Sequence, residues 1–183
     1  NMVIAVTNRK LARRSFLDQI QRVIQEKPDG IILREKDLSE QQYKELAQII
    51  MKVCEKANIS CILHSYWNVA IELGAENIHL PLSILQKKVP IEKFRQIGVS
   101  VHSIEEAKMA EQMGATYLVA GHIFATDCKK GIPPRGLEFF QNLCEQVSIP
   151  VFGIGGMTLE KEKIIMQANG AGICIMSEFM MLE

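Results

Sequence analysis

Three histidines, two neighbouring cations and a pair of glycines stand where short apolar runs of this chain end, and each suggests a chemistry. His64, His102 and His122 each follow an apolar run. Imidazole titrates near neutrality, so a histidine at such a place can serve as a general acid/base. His122 opens the stretch "GHIFATDCKKG" (121–131), which also carries Thr126 and Lys129. It is the candidate catalytic residue, with capping of its own loop as the competing role. Three imidazoles could in principle hold zinc, but no HxH spacing or nearby carboxylate supports a metal site, and none is expected. His79 lies inside a run among apolar neighbours and reads as a hydrogen-bonded interior histidine.

Arg34 and Lys36 are two apart at the end of "GIILR", so both point to one side, with Glu35 on the other. Two cations without an obvious partner suggest an anionic ligand; ion pairs with surface carboxylates are the alternative. In "GIGGM" the backbone N–H groups of Gly155 and Gly156 can face an anion with no Cβ in the way. "MSE", with Met176 and Ser177, would close the same corner, and Ser100 adds a hydroxyl one run-end away. The expected substrate site is thus Arg34, Lys36, Ser100, Thr126, Lys129, Gly155, Gly156, Met176 and Ser177.

The elements that must position these groups recur regularly. Strand-length runs occur at 3–6, 30–34, 60–64, 77–81, 98–102, 117–121, 150–156 and 171–177. They are almost continuously apolar, as expected of parallel strands covered on both faces. Between them, Phe16, Leu17, Ile20, Val23 and Ile24 share a helical face, as do Tyr43, Leu46, Ala47, Ile50 and Val53. Ser39 with Gln42 and Ser103 with Glu106 form capping boxes, and Thr158 is placed to cap another helix. "ELGAENIHL", "QMGATYLVAG" and "QANGAGICIM" repeat one pattern, in which a glycine ends a helix before the next strand. This alternation predicts a (β/α)8 TIM barrel over residues 1–183 as a single domain, with an open doubly wound sheet as the competitor. Residues 178–183 are too few for a full eighth helix, so a short or missing one is expected.

Composition narrows the partners. Lys+Arg and Asp+Glu are both 21, so net charge is zero and no nucleic-acid grip is expected. No window approaches the ~20 apolar residues of a membrane span. The five cysteines form no CxxC and read as reduced thiols; with no secretory leader in evidence, the expectation is a cytoplasmic protein. The apolar tail "FMMLE" is read as covering the barrel bottom of its own chain or of a second copy, which leaves a homo-oligomer open.

Together "ILREK", "ELGAENIHL", "GHIFATDCKKG", "IPVFGIGGMT" and "GAGICIMS" resemble the thiamine phosphate synthase/TenI superfamily over nearly the whole chain. The resemblance implies a (β/α)8 barrel acting on a phosphorylated thiazole. Synthases of the family carry an Asn-Asp pair after strand 3 and Gly-Gln-x-Asp after strand 4, whose Asp residues hold Mg2+ for a pyrophosphate leaving group. Here those positions read His64-Ser65 and Pro81-Leu82-Ser83-Ile84, without a carboxylate. "GH.F.TDCKKG" is instead similar to the TenI branch, where the residue matching His122 is the acid/base of a thiazole tautomerase. The resulting expectation is a metal-independent, cofactor-free isomerase with His122 relaying a proton. The alternatives are a thiamine phosphate synthase, which couples a thiazole phosphate to a pyrimidine pyrophosphate, and a non-catalytic thiazole-phosphate-binding regulator.

Overall fold

The computed structural model describes residues 2–183. Eight parallel strands close into a barrel in chain order: β1 (Met2–Val6), β2 (Gly30–Leu33), β3 (Ser60–His64), β4 (Asn77–Pro81), β5 (Gln96–Val101), β6 (Tyr117–Ala120), β7 (Val151–Gly153) and β8 (Gly172–Ile175). The ring is completed by β1 on β8, with Ile4 opposite Cys174. The eight-strand expectation therefore holds, and the open sheet is excluded.

Alternation divides the strand residues between two cores. Ile4, Val6, Ile32, Ile62, Tyr117, Val119, Phe152 and Cys174 pack inside the barrel. Their neighbours, such as Ala5, Ile31, Leu33 and Leu63, face outward under the helices. Two residues beyond Ile32 and Ile62 along their strands come Arg34 and His64, so the same alternation aims them into the barrel mouth. Tyr117 can fill the lumen because Gly98 stands beside it: a Cβ there would lie 2.0 Å from the phenol ring.

Helices α1 (Phe16–Gln25), α2 (Glu40–Ala57), α3 (Trp67–Glu72), α4 (Leu82–Leu85), α5 (Ile104–Gln112), α6 (Gly136–Gln146), α7 (Glu162–Gln167) and α8 (Ser177–Met180) connect and follow the strands. None of the described helices is long and apolar enough to cross a membrane. The Ser39–Gln42 box is formed in both directions, at 3.0 and 3.1 Å. Ser103 accepts from the Glu106 N–H. Thr158 precedes only a 3-10 turn, and its side chain makes no capping bond.

The last helix, α8, is a single four-residue turn. The tail lies against α1 of its own chain. The buried Gln19 amide donates to Phe179 O at 2.9 Å and Leu182 O at 3.1 Å, and Arg22 donates to Glu183 O. Phe179 and Met180 are buried there, each contributing roughly 1.5–3 kcal/mol by leaving water.

Candidate active site

Four residues of the lumen form a polar column below the mouth. His79 on β4 lies within 2.8 Å of the Ser100 hydroxyl through Nε2 and 3.2 Å of the Tyr117 hydroxyl through Nδ1. His64 stacks on His79 with ring centroids 5.3 Å apart, and its Nδ1 meets the Ser65 hydroxyl. Burial pushes the His79 pKa down to about 3, with Arg34 adding to the effect. Burial also drives His64 well below its ordinary value, assisted by His79, Arg34 and Lys36. Both rings are therefore neutral at physiological pH. Ser100 is a partner of His79 before it is a partner of any substrate.

Arg34 and Lys36 follow β2, where alternation from the inward-packed Ile32 directs both toward the mouth, and both contribute to the lowering of His64. Among the described residues neither side chain enters an ion pair. On the opposite side of the strand end, Glu35 is buried and accepts from Thr7 Oγ1 at 2.6 Å, Arg9 N at 3.1 Å and an Arg9 guanidinium nitrogen at 2.9 Å. Arg9 also grips Asp37 with two bonds of 2.7 Å. This fork holds the Asp37 carboxyl well below its usual range. From the third side, Tyr66 donates to Leu38 O and Lys36 O. Sequence reading missed this framework, since Thr7 and Arg9 lie 26 or more residues from the carboxylate they hold.

The corner of β7 and β8 is built of backbone. Gly155 and Gly156 have φ of +101° and +60°. A Cβ on Gly155 would fall 2.2 Å from His122 Cβ, and one on Gly156 would fall 2.3 Å from Ala125 O. Two glycines are thus needed for the β6–α6 loop to approach. Among the described residues, no hydrogen bond uses the N–H of Gly155 or Gly156. Lys161 donates to Gly156 O at 2.7 Å while its ammonium lies over the Phe124 ring, tying the two loops together.

The β6–α6 loop carries the remaining candidates. His122 is buried, and its Nε2 bonds to Ile132 O at 3.1 Å across the loop. Thr126 spends its hydroxyl on the Cys128 N–H. Lys129 is exposed in the turn that follows. Cys128 Sγ lies 4.0 Å from Ser177 Oγ, so this loop touches the start of α8 beside Met176. His102 leaves the ring of mouth histidines: it is half exposed and sits 3.3 Å from Glu106. The three strand-end imidazoles therefore do not converge.

The thiamine monophosphate synthase profile matches residues 3–179. The chain belongs to this family. A thiamine-phosphate synthase of Clostridium acetobutylicum is 34% identical, over 94% of this chain and 83% of the relative. One from Syntrophomonas wolfei is 31% identical, over 96% and 86%. The solved thiamine phosphate pyrophosphorylase of Pyrococcus furiosus superposes with a TM-score of 0.84 at 26% identity, covering all of this chain and 88% of that one.

These relatives overturn the sequence reading in two respects. Tautomerase chemistry, inferred from "GH.F.TDCKKG", finds no support among relatives named as synthases, and the isomerase assignment falls with it. The case against a transferase rested on a few strand-end positions, whereas the likeness to synthases extends over almost the whole chain.

The missing carboxylates are nevertheless real. Residues 64–65 and 81–84 offer a hard cation no carboxylate, and Glu35 and Asp37 are committed to Arg9. Among the described residues no three His, Cys, Asp or Glu side chains gather as a metal site. The residues present do not fit the Mg2+ site of the family.

Proposed function

We propose that this member of the thiamine monophosphate synthase family is a transferase of the thiamine-phosphate synthase type, coupling a thiazole phosphate to a pyrimidine pyrophosphate. The observation that carries the reading is that two separate sets of groups able to hold an anion, at the ends of β2 and β7, have no partner among the described residues. The Gly155 and Gly156 amides at the β7–β8 corner suit a phosphate monoester. Arg34 and Lys36, unpaired over the β2 end, suit the more highly charged pyrophosphate. A reaction that joins two phosphorylated partners needs both.

In this reading the carbon–oxygen bond to pyrophosphate breaks with its electron pair leaving on oxygen, while the thiazole nitrogen bonds to the freed carbon. Arg34 and Lys36 stabilise the charge that grows on the leaving group. His64 and His79, both neutral, leave Arg34 and Lys36 as the cations that would meet that charge. His122 closes the β6–α6 loop through Ile132 O, and the Cys128–Ser177 approach brings that loop to the start of α8, where Met176, Ser177, Thr126 and Lys129 would lie beside the bound phosphate in this reading. No step is routed through a metal.

Incubating the protein with both substrates in the presence of Mg2+, and following thiamine phosphate by chromatography, tests the reading. Product that depends on both substrates, and that falls at least about tenfold in Arg34→Met, is expected. No product with both substrates bound would contradict it.

A further inference from the structure

The two cations after β2 are flanked by a hydrogen-bonded network of Thr7, Arg9, Glu35 and Asp37. Glu35 and Asp37 alternate with Arg34 and Lys36 along the chain, and one side chain, Arg9, holds both carboxylates. Thr7 completes the arrangement: its hydroxyl donates to Glu35 and accepts from the Arg34 N–H at 3.0 Å. With the odd-numbered side chains fixed on one side, the even-numbered pair is left to face His64 and the mouth. Glu35 is 3% exposed and accepts hydrogen bonds from two residues of the segment after β1, so turning it inward would break all of them at once.

We infer that Arg9, Glu35 and Thr7 form a positioning clamp that sets the affinity of the mouth for pyrophosphate by orienting Arg34 and Lys36. The inference rests on the transferase reading for its ligand. Arg9 itself is occupied by the two carboxylates and is not a ligand for the anion. Pre-set direction matters because displacing a charge by about 1 Å can cost about a hundredfold in function.

Calorimetric titration of the whole protein with inorganic pyrophosphate, and separately with the thiazole phosphate, tests the clamp. Arg9→Met and Glu35→Gln are expected to bind pyrophosphate at least about tenfold more weakly than wild type, with thiazole phosphate binding unchanged. Arg9→Lys, which keeps the charge but loses the fork, should fall between. In the coupling assay KM for the pyrophosphate substrate should rise by more than kcat falls. Asp37→Asn, at a more exposed position, supplies a variant that keeps the buried Glu35 contacts if the others fail to fold, and should also weaken pyrophosphate selectively.

Unchanged pyrophosphate affinity in all variants would overturn the clamp and leave the transferase reading standing. Equal loss of both ligands would reduce the network to general structural support and also overturn it. A wild-type protein that does not bind pyrophosphate would remove the anion grip itself, and both readings with it.

Discussion

His79 and Ser100 meet at 2.8 Å across β4 and β5, in the middle of the barrel lumen. The imidazole there is held neutral by burial, with a pKa pushed down to about 3, and His64 stacked upon it is shifted the same way. A folded-state pKa below the unfolded value means that the unfolded chain binds more protons between the two. Stability is therefore unaffected by these groups above about pH 6.5 and declines as pH falls below it, for His79 down toward about pH 3. Thermal melting between pH 7.5 and 4.5 should show this decline, and His79→Asn should flatten it. An equally steep profile in that variant would assign the decline to other groups.

Gly155→Ala tests the close approach of the loops. The new Cβ would meet His122 Cβ at 2.2 Å in a backbone of positive φ, at a cost of roughly 3 kcal/mol or more. Gly131→Ala, also at positive φ but with nothing within 4 Å of its Cβ, should cost only about 1 kcal/mol. Denaturant unfolding should separate the two, and only Gly155→Ala should also weaken thiazole phosphate binding. Equal costs would mean that backbone strain, not contact, is decisive.

Cys128 is the exposed thiol of the chain, whereas Cys54 and Cys174 are buried. Burial also pushes Cys144 up to about 11. Iodoacetamide at neutral pH should therefore label Cys128 first. Since its sulfur lies 4.0 Å from Ser177 Oγ, labelling should raise KM for the thiazole phosphate, and that substrate should slow labelling. Peptide mass mapping with and without substrate gives the result; labelling indifferent to substrate would place the loop outside the site.

The barrel was legible because each strand is buried on both faces and so reads as an unbroken apolar run, from "VIAV" to "GICI". The direction proposed for the cations of "LREK" follows from the same alternation, continued past the inward-packed Ile32. The direction of His102 was not, because Glu106 serves its helix start and also draws the ring outward. The Thr7–Glu35–Arg9 framework was invisible, since its members meet only once β1 and β2 lie side by side. The tautomerase assignment failed by weighing a local motif and a few strand-end substitutions above a likeness that runs through the entire barrel.

In the proposed reaction two phosphorylated substrates meet at this mouth and leave as one product and pyrophosphate. Its most direct measurement is pyrophosphate release from the pyrimidine substrate, quantified alongside thiamine phosphate while thiazole phosphate is varied. Equal amounts of the two products, and release that requires the thiazole partner, are expected. Release without thiazole phosphate, or no release with both substrates bound, would contradict it.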